Sequence, residues 1–291
     1  MVRARAGWHG ASNMAHMHAS QTYRSLPQLS WDLGCLRQGR LVAARRNGEA
    51  TPASSWNFPT RLLRYWFARQ FVCAESRLHQ RPLAVCEVGI KKGQMLRFMQ
   101  AARADQAPGP DPAICSSWTG VDLQLRPRPL TGLGYARLIE ADIVQSNDWQ
   151  TAEFDAIILR HLLKHLHEPE RDLAAMTRKM KPGSVLIGGF PPCRIVCRLA
   201  RAENPRHPNA NSHVSVFSPA RVRARARAAG LRLDFLSGAF FLWAAGSRLE
   251  DFAWWTRFNL LFGGLFPSWL GELYWVMRKP AADEIEPASE P

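Results

Sequence analysis

The stretch Pro82 to Gln94, PLAVCEVGIKKGQ, limits what this chain can fold into more than any other. Leu83, Ala84, Val85, Cys86 and Val88 make an apolar run long enough for a strand buried on both faces of a parallel sheet and too short for a helix. Glu87 interrupts it, Gly89 and Gly93 follow, and Gln94 opens a helical pattern. Glycines at those positions let the backbone pass close to a ligand, and the first N–H groups of the helix would face the same place. The expected order is strand, ligand-binding turn, helix.

With 291 residues and 46% hydrophobic content the chain can bury one large core, so one domain is expected. The net charge of +14 invites a nucleic-acid partner, but the basic residues are spread along the chain and all except Lys91, Lys92, Lys164, Lys179, Lys181 and Lys279 are Arg. That dispersal argues for an anionic partner only weakly. Six cysteines at 35, 73, 86, 115, 193 and 197 form no C-x-x-C pair and follow no recognisable secretory leader, which points to reduced thiols in the cytoplasm. The most apolar stretch, Phe252 to Met277, is broken by Arg257, Asn259, Pro267 and Glu272, short of the ~18 residues that a membrane span needs.

Residues 1–58 read as a basic, irregular tail, with Met14, His16, Met17 and His18 as a soft-metal cluster that a flexible tail more simply explains. From Thr60, Leu62, Leu63, Trp66, Phe67, Phe71 and Val72 recur at helical spacing with Arg61, Arg64 and Arg69 between them, predicting an amphipathic helix over the sheet. A helix over Met95 to Ala104 is expected to stop at the proline-rich run 107–112. Further strands are expected over Ile114 to Asp122, Tyr135 to Ile143 ending in Asp142, the segment after Glu153, Val185 to Phe190, Leu231 to Ser237 and Glu272 to Lys279. A helix over Ala220 to Ala229 alternates Arg221, Arg223, Arg225 and Arg227, read as a scattered solvent face. Phe252 to Leu270 is dense in Trp, Phe and Leu, read mainly as core packing, with an apolar substrate wall or membrane-surface contact as the alternative. Residues 281–291 read as an acidic, irregular end.

The spacing Glu87-x-Gly89-x-x-x-Gly93 resembles the first motif of class I S-adenosylmethionine (SAM)-dependent methyltransferases, an acid followed by G-x-G-x-G, with Lys91 in place of the middle glycine. Glu153 to Pro169, EFDAIILRHLLKHLHEP, resembles that family's F-D-x-I-x-x-x-x-V-L-E-H-L-x-x-P segment, with Lys164 where Glu is usual. Lys181-Pro182-Gly183-Ser184 resembles its K-P-G-G turn, and His213 to Pro219 its H-x-x-x-F-S-P stretch. The resemblance, closest to the ubiquinone-biosynthesis type of small-molecule enzymes, covers about 59 to 280. It implies a Rossmann-like α/β fold: a seven-stranded, mostly parallel sheet of order 3-2-1-4-5-7-6, strand 7 antiparallel, with helices on both faces. SAM is the implied cofactor. Its implied ligands are Glu87, Gly89, Lys91, Gly93, Asp122 and Leu123 after the second strand, Asp142 and Ile143 after the third, and Arg160 at the end of the fourth. A carboxylate such as Asp122 can accept both ribose hydroxyls; Asp142 reads equally as an adenine ligand or a helix cap. Arg61, Arg64 and Tyr65 are candidates for the methionyl carboxylate.

Methyl transfer needs mainly alignment, and a general base if the acceptor is a hydroxyl. Histidine suits that role near neutral pH, which singles out His161, then His165 and His213. No acid accompanies His161 and His165 in H-L-L-K-H, so no metal site is expected. The expected acceptor is an O or N nucleophile on a small or lipid- or glycan-linked molecule. An RNA methyltransferase is one alternative; against it, Leu159-Arg160-His161-Leu162 stands where base-modifying enzymes carry [N/D]-P-P-[Y/F/W], and Cys193 has no Pro-Cys partner after the fourth strand. A non-catalytic methyltransferase fold that binds a partner is the other.

Overall fold

The computed structural model describes residues 29–43, 45–46, 49–50, 56–103, 105, 107–143, 153–160, 162–166, 168–190, 217–239, 241, 246–269 and 271–281. Seven strands form one sheet: β1 Leu83–Val88, β2 Cys115–Asp122, β3 Arg137–Glu140, β4 Ala156–Arg160, β5 Val185–Phe190, β6 Arg232–Gly238 and β7 Leu273–Arg278. Their spatial order is 3-2-1-4-5-7-6. Strands β1 to β5 pair in parallel, and β7 runs antiparallel between β5 and β6. This is the topology that the sequence motifs imply.

The apolar run of β1 is central because it has no polar face to give to water. Leu83 and Val85 join one core, beneath helices α2 (Leu63–His79), α3 (Gln94–Ala101) and α6 (Ala253–Leu265). Cys86 and Val88 join the other, beneath α4 (Pro169–Lys179) and α5 (Pro219–Ala228). The same alternation puts Ala156 and Ile158 of β4, and Tyr274 and Val276 of β7, in the first core. Glu87, Arg160 and Glu272 continue these odd or even series, so all three side chains emerge on the α2 side at the carboxyl edge of the sheet.

Several expectations are corrected. Within the segment read as an irregular tail, Gly34–Ala43 is a helix, α1, and Leu33, Cys35 and Leu36 are buried in the first core. Apolar partners distant in sequence, Phe98 and Leu62 beside Gly39 among them, supply the stability that local periodicity does not show. Helix α3 stops at Ala101, before the proline-rich run. Strand β3 ends at Glu140, so Asp142 lies in the loop beyond it. Arg225 is buried against Glu170, with its guanidinium 5.4 Å from the Phe217 ring centre, so that arginine face is not all solvent. Phe252 to Leu270 is not mainly core: Trp254, Phe258, Leu261 and Leu265 are exposed. The cluster at 14–18 lies outside the described residues, as do 282–291 of the acidic end.

At the amino edge Asp155 binds three elements together. Its carboxylate takes Arg81 through two bonds of 2.6 and 2.9 Å, the Ala84 N–H at 2.8 Å and the Lys181 ammonium. Thus the Phe-Asp of one sequence motif and the Lys-Pro-Gly of another meet in one ion cluster. Burial pushes the Asp155 carboxyl up, but the Arg81 and Lys181 donors outweigh it and hold the group well below the usual carboxylate range. A depressed acid stabilises the fold above its unfolded value of about 3.9 and ceases to do so as pH falls through its folded value. Asp155→Asn should therefore cost roughly 2–3 kcal/mol near pH 7, with the gap to the wild type closing as the buffer is taken to about pH 2; urea unfolding at several pH values measures this.

Candidate cofactor site

The turn after β1 alternates into the left-handed region three times, at Gly89 (φ 75°), Lys91 (φ 50°) and Gly93 (φ 67°). The Gly89 N–H donates to the Val121 carbonyl at 2.8 Å, and the Gly93 N–H closes the turn on Ile90 at 2.8 Å. The two glycines differ in what they require. A Cβ on Gly89 would meet nothing nearer than Leu162 at 3.9 Å, whereas one on Gly93 would lie 2.5 Å from Leu133 Cδ1 and 3.2 Å from the Tyr135 hydroxyl. Lys91 adopts a glycine-like conformation at some cost in strain, and it is exposed.

Asp122, at the end of β2, is held against this turn. Its Oδ2 accepts the Lys91 N–H at 2.8 Å and its Oδ1 the Gln124 N–H at 3.3 Å. Each oxygen keeps a lone pair for a further donor. Leu123, next in sequence, is 71% exposed. The Ala141 N–H donates to the Asp122 carbonyl at 3.0 Å, which brings Asp142 and the buried Ile143 to the same edge.

Beneath the turn lies a buried polar group. Glu87 is 1% exposed; Arg160 donates to its Oε1 at 2.7 Å, while Trp118 Nε1 and the Tyr135 hydroxyl donate to Oε2 at 3.3 and 3.4 Å. Burial pushes the Glu87 carboxyl up, and these donors, Arg160 first, work against it. Burial alone would lower Arg160, but the Glu87 charge more than compensates and raises it. The Arg160 guanidinium lies 4.5 Å from the centre of the Tyr65 ring, and the Tyr65 hydroxyl donates to Gln94 at 2.9 Å. Beside it Arg64 donates to Glu272 at 2.5 Å, and Glu272 also accepts the Tyr274 hydroxyl. Arg64 Nε and Arg160 Nε are buried without a hydrogen-bond partner among the described residues.

The structure therefore brings Gly89, Lys91, Gly93, Asp122, Leu123, Asp142 and Ile143 to one edge of the sheet. Glu87 and Arg160 lie underneath as a pair. His165 sits half-buried on the 3₁₀ turn Leu163–His165 beyond β4, while His161 and His213 lie outside the described residues. Sequence reasoning missed Trp118, Tyr135, Gln94, Glu272 and Tyr274. A signal did exist for the first two, because an acid in an apolar strand needs buried donors.

The donor set fits a ligand with hydroxyls at one end and a negative charge at the other: a carboxylate beside an open turn, and two buried guanidinium groups with an unused N–H each. Residues 59–234, more than half of the chain, match the family profile described as a methyltransferase domain. No curated protein sequence matches the chain. Many solved structures have a similar fold, among them three methyltransferases. The N-methyltransferase NodS from Bradyrhizobium japonicum is 16% identical over 74% of this chain and 97% of that one, with a TM-score of 0.43. The 1,6-didemethyltoxoflavin-N1-methyltransferase from Burkholderia thailandensis is 13% identical over 96% and 93%, at 0.44. The magnesium protoporphyrin IX methyltransferase from Synechocystis is 11% identical over 91% and 99%, at 0.45. The chain belongs to the class I SAM-dependent methyltransferase family. It is a methyltransferase, and its cofactor is S-adenosylmethionine.

The glycine contrast is measurable by urea unfolding. Gly89→Ala should cost about 1 kcal/mol, from backbone conformation alone, and Gly93→Ala roughly 2–3 kcal/mol, because the methyl also displaces Leu133.

Proposed function

We propose that the chain, through a domain spanning about 59 to 280, moves a methyl group from SAM to an oxygen or nitrogen nucleophile of a small or lipid- or glycan-linked molecule. The observation that carries this reading is the pairing of Asp122, fixed beside the turn at Gly89 to Gly93, with the buried Arg160 and Arg64 donors on the same edge. In this reading Asp122 accepts the ribose hydroxyls, Leu123 packs on the adenine, and Asp142 and Ile143 border its amino edge. Lys91, between the two glycines, lends its backbone to the floor of the site.

Glu87 has both oxygens occupied and acts on the ligand through Arg160, which it holds in place. Arg160 and Arg64 offer their unused N–H groups to the methionyl carboxylate, with Tyr65 stacked on the former. Bound SAM supplies an electrophilic methyl on a sulfonium. The chain's task is then to exclude water and to align the acceptor, worth up to ~7–11 kcal/mol of barrier. Where the acceptor is a hydroxyl, His161 is the favoured base by its position after β4, with His165 and His213 as the other candidates.

Calorimetry with SAM and with S-adenosylhomocysteine tests the cofactor half. Asp122→Ala should weaken binding by roughly ten- to a hundredfold, and Asp122→Asn, which keeps an acceptor for the turn, by less. Labelled methyl transfer into cell extract tests the acceptor half: label in the small-molecule or lipid fraction is the expected result, and label confined to RNA would overturn it.

A further inference from the structure

Helix α6 is apolar on both sides. Its buried residues are Trp255, Thr256, Asn259, Leu260 and Gly263, while Trp254, Phe258, Leu261 and Leu265, at i, i+4, i+7 and i+11, lie along its exposed side. The inner polar atoms have a reason to be there. Asn259 donates to the Trp255 carbonyl at 2.8 Å and accepts the Phe241 N–H at 2.9 Å. Gly263 lies so close to β6 that a Cβ would sit 2.3 Å from the carbonyl carbon of Gly238. The outer aromatic residues pack chiefly on one another, Phe258 on Phe241 at 5.6 Å and Trp254 on Phe252 at 6.4 Å between ring centres. Phe252, Phe266, Trp269 and Phe241 extend the patch, with Trp254 59% and Phe266 53% exposed.

We propose that this outward face of α6 is a docking surface that lays the molecule on an anionic lipid bilayer. Two observations favour a bilayer over a second copy of the chain. Tryptophan and phenylalanine on one side of a short surface helix are the residues that enter the headgroup boundary.

The charge around the patch also suits an anionic surface. Among the described residues from 246 to 273, Arg248 is exposed and Asp251 and Arg257 are half-buried. Glu250 and Glu272 are buried, the former accepting the Thr60 and Gly246 N–H groups and the latter Arg64. The half-buried Asp251 accepts the Asn57 N–H at 3.0 Å, and the chain as a whole carries +14, so the molecule is drawn to acidic headgroups. The chain leaving α6 reaches β7 through Glu272, which grips Arg64 beside the cofactor edge. A docked α6 therefore holds that edge near the bilayer.

Flotation of the full chain with vesicles of phosphatidylcholine, with and without phosphatidylglycerol, tests this. The wild type should float with the vesicles that contain phosphatidylglycerol. The double variant Trp254→Ser/Phe258→Ser should partition at least about tenfold less, with SAM binding by calorimetry unchanged. A wild type that stays in the bulk with both compositions overturns the proposal. So does a double variant that floats as well as the wild type, since charge alone would then bind. So does a double variant that differs only by turning a dimer into a monomer in sedimentation, since a second copy would then be the occupant. Because calorimetry reads the cofactor site separately, loss of docking and loss of SAM binding are distinguishable.

Discussion

Glu87 can be buried at the centre of the sheet only because Arg160 is buried with it. An isolated carboxylate in an apolar strand would be neutralised or would unfold its surroundings. The 2.7 Å pair, with Trp118 and Tyr135 on the second oxygen, lets two adjacent central strands end in opposite charges instead. Much follows from that pair. It fixes the guanidinium beneath Tyr65, ties α2 to the sheet through an aromatic face, and leaves an N–H of Arg160 unused at the edge where the cofactor is expected to bind. The polar group is thus a structural joint between β1, β4 and α2, which makes it costly to alter.

A second constraint acts at the turn. Three left-handed residues in five place the Lys91 N–H on Asp122. Only Gly93 is there for space as well as conformation; at Gly89 the backbone angle alone decides. That difference explains how Lys91 is tolerated between them. Its side chain leaves toward solvent, so the substitution costs conformational strain and not room.

Much of this was legible in residue patterns. The run Leu83 to Val88 and the glycines after it set the strand and the turn, because burial and φ leave few alternatives for such residues, whereas the strand order came from the resemblance to the family. Asp122 was legible for the same reason, as an acid closing an apolar strand. Helix α1 was not, because its stability comes from contacts with Leu62 and Phe98 and not from its own periodicity. Which face of α6 meets the sheet was also hidden: large apolar residues stand on all its sides, and nothing in their order says which of them is covered.

By itself, the sequence determined the central strand and the turn after it, since these depend on local chain geometry and on alternation along a single strand, and its motifs carried the resemblance that implied the fold and the family. Tertiary structure alone decided what Glu87 does and which face of α6 is left bare. Both are outcomes of close approach between elements far apart in the chain: β1 with β4 in one case, Gly263 with Gly238 in the other. Pairwise distances across a core are set by packing all the elements at once, and no single stretch of residues carries them.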